Sequence, residues 1–150
     1  MMRFTVTGAR ELRARIGASR AALLRETIPE AVREITVVGA EQAKYLIGRE
    51  NAWWTPLARR TVMEKRRLGY AGRLSPTDPL FRTGSMRESI KPIASGLTGL
   101  VASKDPVALW QEKGTKRGIP ARSFLLSGLE IVARGRAQKM LAAAWRRAWG

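Results

Sequence analysis

The stretch from Pro120 to Trp149 constrains the fold more than any other part of this sequence. Leu126, Leu129, Ala133, Ala137, Met140, Ala144 and Ala148 recur at helical spacing, with Leu141 beside them. That periodicity predicts one helix, starting at Pro120 or Ser123 and running to about Trp149. Arg134, Lys139 and Arg146 fall outside the apolar face. The many alanines favour the helix and permit close approach of a neighbouring element. Trp145 and Trp149, four residues apart, form a second strip offset from the alanine face, suited either to a subunit contact or to closing the core.

A second long helix is expected near the N-terminus. Val32, Ile35, Gly39, Gln42 and Leu46 keep helical spacing between Glu30 and about Glu50, widened by Val38, Ala43 and Tyr45. Pro29 can begin this helix or kink one that already covers 21–28. The β-branched run Ile35–Val38 opposes the assignment locally, but the flanking spacing outweighs it. Upstream, residues 2–7 alternate enough for a short strand, and 9–16 suit a short helix.

Between the long helices the pattern is weaker. Residues 53–82 read as an extended connection with a short helix around 57–68, punctuated by Gly69, Gly72, Pro76 and Pro79. Segments 89–94 and 100–103 suit two strands joined through Gly96 and Gly99, with Pro92 restricting the first to an edge. Residues 106–112 suit a helix stopped by Gly114, and 113–120 form a basic loop. The expected fold is α+β: long N-terminal and C-terminal helices packed against a small antiparallel β-sheet, in one domain spanning 1–150.

Composition narrows the chemistry. The 150 residues include 28 Lys plus Arg, 12 Asp plus Glu, and neither His nor Cys, for a formal charge of +16. Imidazole bases, histidine metal ligands, disulfides and cysteine nucleophiles are therefore excluded. Ser85 and Ser123 have no imidazole to activate them. Asp78, Glu88, Asp105 and Glu112 could serve acid–base chemistry, but none sits in a diagnostic pattern, and loop capping explains them better. No glycine pattern forms a phosphate loop. The expectation is a non-enzyme with no catalytic residue, no metal and no cofactor.

The charge instead points to a polyanion or an acidic partner. Each half of the chain carries a net +8, so there is no detached basic tail. The candidate contacts for DNA or an acidic partner are Arg59, Arg60, Lys65, Arg66, Arg67 and Arg73, and then Lys113, Lys116 and Arg117. A third concentration runs from Arg134 through Arg136 and Lys139 to Arg146 and Arg147, with no acid after Glu130. Adjacent Trp53 and Trp54 cannot both face the core; one packs inward and the other covers a joint or a partner. Arg122 is placed by this reading in the first turn of the last helix, where its charge opposes the dipole, so a specific carboxylate or backbone partner is expected. The first residues lack the apolar segment of a secretory signal, and no apolar run reaches membrane-spanning length.

The ordered motifs resemble those of a known family. Trp54, Pro56-Leu57, Thr61 and Lys65 precede Leu80, Arg82-Thr83-Gly84 and Arg87-Glu88-Ser89-Ile90. Then follow Ala108, Gln111-Glu112, Gly114-Thr115, Pro120-Ala121-Arg122 and Phe124-Leu125. This order is similar to the bacteriophage tail-completion or neck proteins, the group of lambda-type minor tail protein Z and the Mu-type virion morphogenesis protein. The motifs cover about residues 50–127. Position 107 is Val where an aromatic is common, and position 111 is Gln where His often appears.

The resemblance implies a structural virion protein made in the host cytoplasm and placed at the neck or tail top. It would complete the tail or join it to a DNA-filled head. Its implied partners are further copies of itself, in a ring that could be hexameric, together with head-completion or connector proteins and tail-terminator or tail-tube proteins. The basic charge, and not the resemblance, is what makes nonspecific contact with packaged DNA an expectation. Thr83-Gly84 would set the start of the sheet, while Glu112, Gly114 and Thr115 would shape the loop before Pro120, Ala121, Arg122 and Phe124. Trp53, Trp145 and Trp149 are the candidate subunit contacts. The alternative from composition is a stand-alone basic nucleic-acid-binding module.

Overall fold

The structure is a computed structural model that describes residues 2–5, 18–70 and 75–149. Strand β1 (Met2–Thr5) precedes helix α1 (Ala18–Leu46), which is followed by α2 (Arg59–Arg67) and a single helical turn, α3 (Ser85–Glu88). Strands β2 (Ile90–Ser95) and β3 (Thr98–Ser103) form a hairpin, and α4 (Pro106–Lys113) follows. The C-terminal helix comprises α5 (Leu125–Val132), a π-helical turn (Ala133–Ala137) and α6 (Gln138–Trp149). Long helices near both ends pack against a small antiparallel sheet, as the sequence predicts.

The sheet order is β1-β3-β2, with β3 central and antiparallel to both neighbours. Ile90 pairs with Ser103 and Ser95 with Thr98, leaving a two-residue turn in which Gly96 takes φ +54°. Pro92 lies on edge strand β2, where the missing N–H costs the sheet nothing on its unpaired side. The strands begin and end one or two residues from the expected limits. The suggested strand at 2–7 is described only to Thr5, and the suggested helix at 9–16 lies outside the described residues.

Helix α1 is continuous through Pro29. It ends at Leu46, short of Glu50, where Gly48 turns the chain with φ +78° and donates its N–H to Pro79 O at 3.0 Å. Val32, Ile35, Ala40, Ala43 and Leu46 are buried on its inner face, but Tyr45 points outward and stacks under the Arg49 guanidinium. Within the β-branched run, the fully buried Thr36 hydroxyl is satisfied by donating to Val32 O at 2.6 Å. Val101 of β3 and Ile90 of β2 close the core from the sheet side.

Small residues set how closely α1 meets α5. A Cβ on Gly128 would stand 2.8 Å from Ala43 N and 2.9 Å from Ala43 Cα, so α5 rests directly on the α1 backbone. Gly39 lies between Leu129 and Val101, at the junction of α1, α5 and β3.

The C-terminal helix corrects the sequence reading in two respects. It starts at Leu125, not at Pro120 or Ser123, because the preceding residues form an extended, side-chain-anchored loop. Its apolar face also changes register. Leu125, Gly128 and Val132 are buried, whereas Leu126 and Ala133 are exposed; after the π turn, Ala137, Met140 and Leu141 are half-buried and Ala144 is buried. The inward line thus jumps five residues, from Val132 to Ala137. In an uninterrupted α-helix those two residues would sit roughly 140° apart. The i→i+5 geometry of the π turn restores them to one face. An unbroken α-helical period therefore selects the correct residues after the turn, and before it selects Leu129 correctly but Leu126 and Ala133 wrongly.

Candidate functional site

The motif residues between 108 and 125 converge on one latch joining α4, the start of α5 and the 51–57 turn. Asp105 caps α4 by accepting from Val107 N at 2.9 Å, and Pro106 occupies the first turn, where no donor is needed. Ala108 buries the inner side of α4, and Glu112 lies near its end. The Glu112 carboxylate reaches across to cap α5. Its Oε2 accepts from Phe124 N at 2.8 Å and Leu125 N at 2.9 Å, while Oε1 accepts from Ser123 Oγ at 2.7 Å and Leu126 N at 3.0 Å. One charged side chain thereby satisfies three N–H groups at a helix start and opposes the positive end of its dipole.

Gly114 makes that reach possible. Its φ of +71° suits glycine, and a Cβ there would lie 2.9 Å from both Ala121 N and Ile119 O. Thr115 closes the loop: its N–H donates to Ile119 O at 2.9 Å, and its hydroxyl accepts from Ile119 N at 3.2 Å. Pro120 and Ala121 then lead to Arg122, whose N–H bonds to Gln111 O at 2.6 Å. Phe124 is fully buried.

Arg122 lies before α5, not in its first turn. The expected specific partner is backbone: Nε and Nη2 donate to Thr55 O at 3.0 and 2.8 Å, and Nη2 also reaches Pro56 O at 3.3 Å. The residue is 5% exposed, and burial pushes the guanidinium pKa below its ordinary value. Trp54 packs into the core on the same turn, while Trp53 is 63% exposed. That division of the tryptophan pair agrees with the sequence expectation.

The 75–90 segment is organised similarly. Gly84, at φ +93°, begins α3, and the Thr83 and Ser85 hydroxyls pair at 3.1 Å. Thr83-Gly84 therefore starts a helical turn and not the sheet itself. Ser89 links that turn to the hairpin through Ser103 Oγ at 2.6 Å, and Ile90 is buried. Asp78 is buried in its own loop and accepts from Ser75 N at 2.9 Å, whereas Glu88 is exposed.

Lys65 is a correction. It is 7% exposed and donates Nζ to Asp78 O at 2.8 Å, so it anchors α2 and is not available to a polyanion. Burial lowers its pKa from 10.5, and the nearby Asp78 carboxylate partly opposes that shift. Arg59, Arg60, Arg66 and Arg67 are exposed around Met63, and Lys113, Lys116 and Arg117 are exposed on the loop after α4. Arg73 lies outside the described residues. Trp145 is half-buried, and the surroundings of the Trp149 side chain lie outside the description.

Two clefts flank this framework. A cavity of about 330 Å³ lies beside α2, lined by Leu57, Lys65, Phe81, Met86 and Gln111 as well as Leu80, which adopts φ +63°. Another of about 370 Å³ is lined by Asn51, Trp54, Pro56 and Pro79. Gln111 Oε1 in the first, and Trp54 Nε1 and Asn51 Nδ2 in the second, are buried without hydrogen-bond partners. Among the described residues no group of three acidic side chains is placed to hold a metal ion. No helix among them is long and apolar enough to cross a membrane.

The chain matches no protein-family model, no curated protein and no solved structure.

Proposed function

We propose that the chain is a non-enzymatic structural virion protein that completes a phage-type tail or joins it to a DNA-filled head, as a subunit of a ring. The observation that carries this reading is how the motif residues are used. Glu112 and Arg122, the most chemically capable members of the ordered motifs, are both spent on helix and backbone anchoring. A motif set of that kind preserves a shape and presents surfaces; it does not arrange a reaction.

Several surfaces support a contact role. Trp53, Met63, Leu109 and Trp110 are about half exposed or more, a cost in water that a neighbouring subunit would remove. Trp53 also lines a shallow groove with Ile131 on the outside of α5. The partners proposed are further copies of this chain, the head-completion or connector proteins, and the tail-terminator or tail-tube proteins.

The test is to purify particles from cells carrying the encoding phage or prophage and locate this chain by electron microscopy. A ring at the neck or tail top is expected. Intact, infectious particles without the chain would sink the reading.

A further inference from the structure

We propose that the outer face of the C-terminal helix is a binding surface for the phosphodiester backbone of duplex DNA. The inference stands on helix register and exposed charge, and it does not depend on the head–tail reading. The π turn that keeps the apolar seam continuous also aligns the basic residues. Arg134 and Lys139 are five apart across Ala133–Ala137, so the i→i+5 geometry stacks them on one side. Arg146 follows Lys139 by seven residues, two α-helical turns on the same face, with Arg136 and Arg147 at its margins. All five side chains are exposed.

No acid lies within this stripe, and among the described residues Glu130 alone is in an ion pair with it. Glu130 is the last acid in the chain, and it meets Arg134 only at 3.8 Å with both side chains more than half exposed. The exposed acids Glu26, Glu30, Glu34 and Glu41 belong to the neighbouring helix α1, and one of them, Glu41, is paired with Lys44 at 2.7 Å. From Arg134 to Arg146 the stripe extends about 18 Å, a span along which a duplex offers on the order of ten phosphate charges.

The neutral residues decide which polyanion fits. The other exposed positions between 133 and 147 are Ala133, Gly135, Gln138 and Ala142, with no exposed large apolar side chain among them; exposed Ile131 and Trp53 share a groove with Arg134 at the N-terminal end of the stripe only. A protein interface needs such anchors at its centre. A smooth, small-residue surface bearing only cations instead suits close approach to a phosphate backbone, without base readout. Helix α2 differs: its exposed arginines surround Met63, exposed Glu64 and Leu68, a mixture better suited to a protein partner.

The test compares two full-length variants of equal charge, R134Q/K139Q/R146Q on the stripe and R59Q/R60Q/R66Q on α2. Anisotropy with a labelled mixed-sequence DNA duplex gives affinity as a function of salt, and sedimentation of each protein alone gives its association state. If three stripe residues each neutralise a phosphate, the slope of log K against log salt falls by about 2.7 between about 50 and 200 mM. The α2 variant should retain nearly the parental slope. Equal losses in both variants would overturn the proposal, since net charge and not this face would then govern binding. Unchanged DNA binding with dissociation of a parental oligomer in the stripe variant would also overturn it, and would assign the face to a copy–copy contact.

Discussion

Replacing Glu112 by Ala should cost more than any single surface carboxylate normally does. The side chain accepts four hydrogen bonds, three of them from the first N–H groups of α5. Phe124 and Leu125 are buried, so their N–H groups would be left without solvent, whereas the N–H of exposed Leu126 can take water. Two stranded buried donors at about 1–1.5 kcal/mol each, with a little more from the lost dipole partner, give about 3 kcal/mol. Glu112→Gln keeps an acceptor oxygen but loses the charge, and should cost about half as much. Ser123→Ala removes only the hydroxyl contact, for about 0.5–1 kcal/mol. Urea unfolding followed by tryptophan fluorescence measures the series. With a slope of about 2 kcal/mol per molar, Glu112→Ala should lower the midpoint by about 1.5 M at unchanged slope. A shift below about 0.3 M, with the slope preserved, would show that water or another side chain replaces the cap, refuting the argument that Glu112 holds α5 in place.

Other substitutions probe separate joints. Gly128→Ala should destabilise by about 1–3 kcal/mol, since its methyl would press on the Ala43 backbone. Gly135→Ala, with open space around the new methyl, should instead stabilise by up to about 1 kcal/mol, and thermal denaturation distinguishes the two signs. Arg122→Lys should destabilise despite keeping the charge, because one ammonium cannot reproduce the paired guanidinium contacts to Thr55 O and Pro56 O; loss of protection of the 51–57 turn in hydrogen exchange is the readout. Lys65 has a folded pKa below its unfolded value of 10.5, so the unfolded chain binds more protons between the two values and stability should rise with pH there. That alkaline rise should be absent from Lys65→Met in parallel denaturation curves.

The sequence was most legible where one local rule governed one element. The α1 core line, the Pro92 edge strand and the Gly114 stop each follow from a spacing or a backbone restriction. The C-terminal helix was half legible: its existence and the inward positions Leu129, Ala137, Met140 and Ala144 follow from periodicity, but the inner line before the π turn does not. An α-helical period extended across 133–137 selects Leu126 and Ala133 along with Ala137, whereas the π turn lets the buried Val132 share a face with Ala137. A better clue was the five-residue gap between those two residues, with arginines at 134 and 136 inside it.

Long-range roles left fainter marks. Arg122 advertised a specific partner, but nothing nearby in sequence indicated carbonyls at Thr55 and Pro56. Glu112 read as a capping residue without a helix to cap, because the capped helix begins thirteen residues later, beyond the Gly114 loop. Lys65 stood within a run of basic residues and was indistinguishable from its neighbours by composition. Only its helical position opposite Asp78 separates it from them, turning one apparent polyanion contact into a buried anchor.

The central claim is that this chain's work is assembly. The most direct measurement of the proposed role is deletion of its coding sequence from the genome that carries it, with electron microscopy of the particles produced and complementation in trans. The account predicts filled heads and tails that remain unjoined or incomplete, restored by the parental chain and poorly by the destabilised Glu112→Ala variant. Normal numbers of joined, infectious particles from the deletion strain would contradict it.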